Sequence, residues 1–332
     1  MKRVGFLMEK ISDLDNLYLA YRKSIKGKRR KAEVRRFAEH LDSNLSEMRR
    51  ELIDGTIAVG DYRYFTIYDP KKRTICAAPI RERILQHAIM NVCHQYFDRT
   101  LIDSTYATRK GKGVYAALDR AVMAMSRHKY TVKMDFRKYY DSIDHSILKR
   151  KLRRMFKDEA LLALFDKIID SYCVAGGRGL PIGNLTSQYF ANVYLSELDH
   201  MAKETWRVSE YIRYMDDILI AGNDNDVLRE CVKQIYDYSS SVLGLTLKPP
   251  IFRKADDGQV FLGYKVMPFR YVLSGRSKKR FRSKLLTYDR YLKTGVWTDD
   301  EYEEHILPLL SFVKHASSES FRRACISIKT GC

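Results

Sequence analysis

Two adjacent carboxylates, Asp216 and Asp217, stand between two apolar runs and are the residues best suited to chemistry in this chain. The run 211–222 predicts a β-hairpin with both acids at its tip. Neighbouring carboxylates between apolar strands repel each other and lose water, so each is expected to favour its protonated form. A divalent cation such as Mg²⁺ offsets this cost because it prefers carboxylate and phosphate oxygens. The pair alone leaves a solvated turn as the alternative.

A third acid, Asp135, ends the run 131–136, which predicts a buried strand. If this strand and the hairpin are neighbours in one antiparallel sheet, three carboxylates meet at one edge. Such a set can hold two Mg²⁺ ions roughly 3.5–4 Å apart, the arrangement used in phosphoryl transfer. Mn²⁺ is the expected substitute. By itself, Asp135 could equally be a cap at the end of a strand.

The composition favours a polyanionic partner. The 332 residues include 60 Lys and Arg against 41 Asp and Glu, which gives a net charge of +19. This excess predicts nucleic acid first and an anionic membrane surface second. No apolar run approaches the roughly 20 residues of a membrane span, so no membrane partner is expected. The six cysteines lack metal-ligand spacing, which predicts reduced thiols in a cytoplasmic protein.

The elements that must position the acids are helices mixed with short strands, an α+β pattern with an antiparallel sheet. Apolar periodicity predicts helices after Gly27 up to Asp54, and over 80–97, 184–200 and 226–243. Strands are predicted over 62–67 and 259–266. Asp144 is a candidate N-cap of a further helix, whose first-turn residue is His145. After Ser274 the chain is predicted to be helical and basic.

Four segments resemble, in order and spacing, the motifs of reverse transcriptases. They are Lys133–His145, Gly179–Gln188, Tyr214–Asp217 and Phe261–Tyr264, and the likeness runs from about Tyr62 to Tyr264. The resemblance implies a right-hand polymerase with fingers, palm and a helical thumb. It implies an N-terminal helical extension over 1–55, fingers over 56–130, a palm over 131–268 with a fingers-side insert near 150–180, and a basic thumb over 269–332.

The run from Ile182 to Gln188 resembles the form found in reverse transcriptases of diversity-generating retroelements. That resemblance implies copying of a template-repeat RNA into cDNA, with errors at template adenines, to diversify a variable gene. Retron-type and defence-associated reverse transcriptases are the nearest alternatives. An RNA-binding or splicing cofactor without activity is disfavoured by the three acids, and a viral-type RNA polymerase is disfavoured by Tyr140.

The resemblance also assigns roles to single residues. Asp135, Asp216 and Asp217 become catalytic metal ligands, and Tyr140 becomes the gate that excludes a ribose 2′-hydroxyl. The residues assigned to the dNTP are Lys71, Arg73, Phe136, Arg137, Tyr140, Ile182, Gly183, Gln188 and Lys248. Those assigned to template or primer are Tyr106, Arg109, Lys112, Phe261, Leu262, Gly263 and Tyr264. For Lys71 and Lys248 a solvated surface lysine is an equal alternative, and for Tyr140 the alternative is a core tyrosine.

Ile182 stands where more faithful relatives carry glutamine. Isoleucine supplies shape but no hydrogen bond, so we hypothesise that it loosens the check on base-pair geometry; plain packing is the alternative. The partners implied by the resemblance are template RNA, the RNA–cDNA duplex, dNTPs and a small basic accessory protein, in a bacterial, archaeal or phage setting. The N-terminal helix and the basic C-terminal helix are the surfaces expected to receive such a partner.

Overall fold

The structure is a computed structural model that describes residues 3–68 and 72–330. The helices, in chain order, are α1 Met8–Ser12, α2 Leu14–Ser24, α3 Ala32–Glu39, α4 Leu41–Ile53, α5 Ile80–Arg99, α6 Val114–Arg127, α7 Tyr139–Ser142, α8 His145–Met155, α9 Glu159–Asp170, α10 Leu185–Tyr194, α11 Ser196–His200, α12 Asn225–Ser241, α13 Gly275–Lys293, α14 Asp299–Lys314 and α15 Glu319–Thr330. A π-helical turn, Met201–Thr205, follows α11. Within the described residues, no helix is long and apolar enough to cross a membrane.

The strands are short, and every pairing between named strands in the described part of the chain is antiparallel. They are β1 Arg63–Tyr68, β2 Lys72–Ala77, β3 Tyr130–Asp135, β4 Glu210–Tyr214, β5 Asp217–Gly222, β6 Ile251–Lys254, β7 Gln259–Phe261, β8 Tyr264–Met267 and β9 Arg270–Leu273. They form a hairpin β1-β2, a four-stranded sheet in the order β4-β5-β3-β6, and a three-stranded sheet β7-β8-β9. The predicted α+β class with antiparallel sheets is confirmed.

The chain divides into two compact units, each assembled from separate stretches of sequence. Unit 1 comprises 1–103, 136–205 and 235–247, and unit 2 comprises 104–135, 206–234 and 248–332. The predicted division into fingers, palm and thumb follows the sequence in continuous blocks. Because the two units are made of separate stretches, they do not test this division, which stays a prediction.

Unit 1 is built around helices and aromatic rings. Phe97 of α5 packs against Phe156 and Phe165, with ring centroids 5.5 and 6.1 Å away, and Phe165 packs against Phe190 of α10 at 5.4 Å. These rings are fully buried and contribute large apolar surfaces to the core between these helices. They fix the helices that carry the loop from 171 to 184.

Unit 2 holds the four-stranded sheet and its helical support. The central strands β3 and β5 carry buried Val, Ile and Leu, as expected of strands covered by helices. Their core continues through α6 into the three-stranded sheet and the C-terminal helices, with Leu219, Tyr264, Phe281 and Val313 all buried. The acidic ends of β3 and β5 are therefore held by a rigid element.

Three predicted elements differ in detail. The helix expected over 184–200 divides at Leu195 into α10 and α11. The helix expected between Gly27 and Asp54 is interrupted at His40, where φ is −128°, and gives α3 and α4. The Asn44 side chain donates to the carbonyl of Phe37 at 2.9 Å, which satisfies a group exposed by the break. The strand expected over 259–266 is two strands, β7 and β8, joined by a turn at Leu262 and Gly263.

Candidate active site

The three predicted acids meet at one edge of the four-stranded sheet in unit 2. Asp135 is the last residue of β3 and lies opposite Asp217, the first residue of β5. Asp217 also pairs with Tyr214 of β4, so Asp216 lies in the two-residue turn between these strands. The predicted hairpin and the predicted neighbouring strand are both confirmed.

A buried arginine that the sequence reasoning missed supports this turn. Arg213 of β4 is fully buried, and its guanidinium donates to the Met215 carbonyl at 2.9 Å. Its backbone is also fixed, because its N–H donates to the Ser104 carbonyl and its carbonyl accepts from the Tyr106 N–H, both at 3.0 Å. Met215 has a positive φ of 55°, which a residue of this type adopts only where its surroundings enforce it. A charged residue between Ile212 and Tyr214 was the available signal.

The electrostatics of the acids reflect burial and mutual repulsion. Burial, followed by the charges of Asp217 and Asp135, raises the pKa of Asp216 to about 6. Burial also raises the pKa of Asp217, although the ammonium of Lys133, 3.0 Å from its carboxylate, acts in the opposite direction. The site therefore carries more negative charge than its surroundings readily accept, which is the condition that a bound cation relieves.

Two lysines neutralise part of this charge in the structure. Lys133 pairs with Asp217, and the Lys248 ammonium donates to the Asp135 carboxylate. The Lys248 backbone N–H also donates to the Asp135 carbonyl at 2.8 Å. Lys248 thus lies at the acidic edge, and its predicted role toward a nucleotide stays a prediction.

The donor chemistry of this edge suits a hard divalent cation. Its oxygens belong to three carboxylates, of which Asp216 and Asp217 have a raised pKa, and Asp135 and Asp217 keep about a quarter of their side-chain surface exposed to solvent. Across 3–68 and 72–330, however, no three His, Cys, Asp or Glu side chains are already arranged to hold one ion. A bound ion would compete with Lys133 and Lys248 for the carboxylates of Asp217 and Asp135.

In unit 1, the predicted gate residue lies on a short helix that follows a left-handed residue. Lys138 has φ 42° and ψ 49°, and Tyr140 follows on α7. The ring of Tyr139 is buried beside that of Tyr140, with centroids 5.8 Å apart, and the Tyr139 hydroxyl donates to the Ala191 carbonyl. Tyr140 is only half-buried. The core tyrosine of this pair is therefore Tyr139, and the role of Tyr140 as a gate stays a prediction.

The loop that carries Ile182 and Gly183 packs on strand β2 of the same unit. The Ile182 carbonyl accepts from the Cys76 N–H at 2.8 Å. Gly183 has φ +118°, and a side chain there would start only 3.0 Å from the Cys76 carbonyl oxygen. Glycine is therefore required at 183 by both conformation and space. Gln188 is exposed on the first turn of α10.

The remaining residues assigned to the dNTP occupy different environments. Arg73 is exposed on β2 opposite Ile67, and Lys71 lies outside the described residues. Phe136 is buried at 1% exposure, so its ring is a core group. The Arg137 N–H donates to the Thr246 carbonyl at 2.8 Å, so this amide is already used and only the exposed side chain is available to a ligand.

The residues assigned to the template form a folded loop in unit 2. Tyr106 is only 7% exposed and belongs to the core, with the Lys112 ammonium over its ring at 5.1 Å. Arg109 donates to the Thr105 hydroxyl at 2.9 Å and to its carbonyl at 3.2 Å. Stacking of Tyr106 on a base would require the ring to leave the core, so here it supports the loop.

The residues assigned to the primer form the β7-β8 hairpin of unit 2. Phe261 and Tyr264 face each other across the turn, and both are fully buried. Leu262 and Gly263 have positive φ values of 48° and 87°, typical of the two-residue turns that match strand twist. The Ser277 hydroxyl donates to the Gly263 carbonyl at 2.5 Å, which anchors the turn on α13. Of the four assigned residues, Leu262 and Gly263 are the two that reach the surface.

These features define a protein with carboxylates at the edge of an antiparallel palm-like sheet, and comparison with known proteins names its class. The family model for reverse transcriptase (RNA-dependent DNA polymerase) matches residues 68–266, more than half of the chain. The chain belongs to the reverse transcriptase family.

Individual relatives are distant. Protein YkfC of Escherichia coli K12 is 22% identical over 251 residues, which cover 60% of this chain and 66% of YkfC. The retron Ec73 reverse transcriptase of E. coli is 23% identical over 245 residues, which cover 70% of this chain and 75% of that enzyme. Among solved structures, apo telomerase of Candida tropicalis is similar with a TM-score of 0.48 and 13% identity, covering 64% of this chain and 55% of that chain. The chain thus spans just under two thirds of YkfC and about half of the telomerase chain.

Proposed function

We propose that this chain is an RNA-directed DNA polymerase that extends a primer on an RNA template with dNTPs. The observation that carries the proposal is the register that places Asp135 opposite Asp217, with Asp216 in the adjoining turn. The membership of the family supports the same activity.

The three carboxylates at the sheet edge would bind and position divalent ions during phosphoryl transfer. Asp135, Asp216 and Asp217 would be the ligands of the divalent ions. Two Mg²⁺ ions, or Mn²⁺ in their place, would supply activation of the 3′-hydroxyl and neutralisation of the leaving pyrophosphate. Lys133 and Lys248 offset part of the negative charge of the carboxylates in the structure. Lys248 lies beside Asp135, where its ammonium would donate a proton to the leaving pyrophosphate.

The residues proposed to select the nucleotide belong to unit 1. Tyr140, half-buried on α7, would exclude the ribose 2′-hydroxyl. Arg73 would bind the triphosphate, since its exposed guanidinium can donate to two phosphate oxygens at once.

For the biological role, we propose diversification of a variable gene through cDNA copied from a template-repeat RNA, with errors at template adenines. The support is the run Ile182–Gln188, in which a hydrocarbon side chain replaces an amide. A small basic accessory protein is proposed as a partner on the same grounds.

A retron-type role is the second candidate. The observation that favours it is the similarity to the retron Ec73 reverse transcriptase, which extends over three quarters of that enzyme. A template and variable repeat pair beside the gene would support diversification, whereas a gene for a structured RNA that the enzyme itself copies would support the retron role.

Primer extension on a defined RNA with Mg²⁺ tests the activity. Wild type should incorporate dNTPs in preference to NTPs, and Asp216→Ala should abolish extension. Equal extension by both proteins would refute the proposal. Sequencing of the cDNA distinguishes the two roles, because only the diversification role predicts an excess of errors opposite template adenine.

A further inference from the structure

His145 lies buried beneath the loop that leads to Ile182 and Gly183, and no role has been assigned to it so far. It is the first residue of α8, as the sequence predicted, and is 6% exposed. Its Nε2 is 2.8 Å from the carbonyl oxygen of Gly179, and its Nδ1 is 3.4 Å from a carboxylate oxygen of Asp170. Its backbone N–H donates to the Gly177 carbonyl at 2.9 Å. One residue therefore contacts this loop at two points.

The hydrogen-bond acceptor on the loop determines which ring nitrogen of His145 carries a proton. A carbonyl oxygen can only accept, so Nε2 must carry the proton that it shares with Gly179. On the other side of the ring, Nδ1 faces the Asp170 carboxylate, which accepts from the Lys149 ammonium at 2.6 and 2.7 Å. The α8–α9 pair thus holds the ring in one orientation, with its donor directed at the loop.

The same loop joins two of the predicted nucleotide-selecting residues. Near its start, the N–H of Gly179 donates to the Ile143 carbonyl and that of Leu180 donates to the Tyr140 carbonyl, both at 2.9 Å. At its end, the Ile182 carbonyl accepts from Cys76, and Gly183 packs against the Cys76 carbonyl. A shift of the loop would therefore move Ile182 relative to the helix that carries Tyr140.

We propose that His145 is a positioning residue that fixes the 177–183 segment against the Tyr140 turn and thereby sets nucleotide selection. The proposal rests on the polymerase function proposed above. His145 touches neither substrate nor metal in this role; it acts through the hydrogen bond to the Gly179 carbonyl. Gly179 has φ +119°, and a side chain there would meet Val174 at 3.0 Å, so the loop has little freedom to recover that bond by another path.

Two substitutions separate this role from simple packing. In His145→Gln the amide nitrogen lies about as far along the side chain as Nε2 and can still donate to Gly179. In His145→Asn the amide nitrogen corresponds to Nδ1 and cannot reach that carbonyl. Both variants remove the ring, so a loss due to packing alone should affect them alike. The exposed His40→Asn in the same unit serves as a control for the substitution type.

Hydrogen exchange measures how firmly the loop is held, and it does not depend on enzyme activity. In His145→Asn, the amides of Gly179 and Leu180 should exchange at least about tenfold faster than in wild type, because their bonds to Ile143 and Tyr140 open more often. In His145→Gln they should stay within about threefold. Unchanged exchange in the Asn variant, or equal acceleration in both variants, would overturn the proposal.

Single-nucleotide incorporation measures the consequence for selection. The Asn variant should raise the KM for the correct dNTP by about 5- to 30-fold, the cost of one lost buried hydrogen bond, while kcat changes less than about twofold. Its preference for dNTP over NTP should fall, and His145→Gln should restore both values. A fall in kcat alone, with KM and sugar preference unchanged, would overturn the positioning role. An inactive wild type would refute the polymerase function instead, and the exchange data would still decide the loop contact.

Discussion

Asp135 and Asp217 lie directly opposite each other across the antiparallel ladder between β3 and β5. Like charges in facing positions destabilise a sheet by roughly 0.2–1 kcal/mol compared with neutral pairs. Here each carboxylate is paired with a lysine, Asp135 with Lys248 and Asp217 with Lys133, and Asp216 adds a third acid one residue away. An arrangement that costs stability in this way is typical of a functional site.

Replacing Asp217 with asparagine should abolish activity without harming the fold. The neutral amide of asparagine is a poor ligand for a divalent cation, so primer extension should fall by at least about 100-fold. The change also removes one repulsive contact between carboxylates. The unfolding free energy should stay within about 1 kcal/mol of wild type. Exposed Asp256 in the turn after β6 gives the control, because Asp256→Asn should change neither property. Retained activity in Asp217→Asn would contradict the proposed metal site.

The raised pKa of Asp216 predicts a stability that depends on pH. The folded protein holds this proton up to about pH 6, whereas the unfolded chain releases it near pH 4. Between these values the folded state binds more protons, so this group makes the unfolding free energy fall as the pH rises. Asp216→Asn should therefore gain on wild type by about 1–2 kcal/mol between pH 4 and pH 7, after allowance for solvent screening.

Urea denaturation at several pH values in EDTA measures this difference. Mg²⁺ should stabilise wild type at pH 7 more than it stabilises the asparagine variant, because a bound cation favours the ionised carboxylate. A pH-independent difference between the two proteins would contradict the raised pKa.

The sequence predicted those parts of the site that depend on local pattern. The hairpin with Asp216 at its turn and the N-cap Asp144, whose side chain accepts from Ser146 and Ile147, are both confirmed. Each depends on residues close together in the chain, where spacing and residue type carry the information.

The parts that were missed depend on contacts between distant residues. Strand β6 pairs with β3 more than 110 positions away, and its partly exposed residues show no strong alternation. Arg213 supports the acidic turn through Ser104 and Tyr106, and His145 reaches Gly179 across 34 positions. The rings of Tyr106 and Phe136 lie in the core, and the ligand roles assigned to these two residues stay predictions. An aromatic residue in a motif does not reveal on which side of the backbone its ring packs.

Gly183→Ala should destabilise the loop that carries Ile182. The positive φ and the 3.0 Å approach to the Cys76 carbonyl both oppose a side chain, so the expected cost is about 1–3 kcal/mol of unfolding free energy. Gly275→Ala, at an open position on the first turn of α13, should be neutral or slightly stabilising. Equal thermal denaturation midpoints for the two variants would contradict the strain at 183.

Ile182→Gln should make copying more faithful. Ile182 is bonded to Cys76 only through its backbone carbonyl, and its side chain is half-buried, so the substitution should leave the loop in place. The added amide can form a hydrogen bond that isoleucine cannot. Sequencing of cDNA should show fewer errors opposite template adenine. An unchanged adenine error rate at equal extension would leave Ile182 with a packing role only.

Leu262→Asn should weaken the protein's grip on a nucleic-acid duplex at nearly unchanged stability. Leu262 has φ 48° in a two-residue turn, where asparagine is favoured, but its side chain is partly buried against the core of unit 2. The conformational gain and the lost apolar burial should therefore offset each other to within about 1 kcal/mol of unfolding free energy. The part of the leucine that stays exposed is available for an apolar contact with a partner. Binding of an RNA–DNA duplex should weaken several-fold in a fluorescence-anisotropy titration. Phe269, exposed with φ 65° in the next turn, gives the control, because Phe269→Asn should raise stability with unchanged binding. Equal binding by Leu262→Asn and wild type would refute the primer contact at this turn.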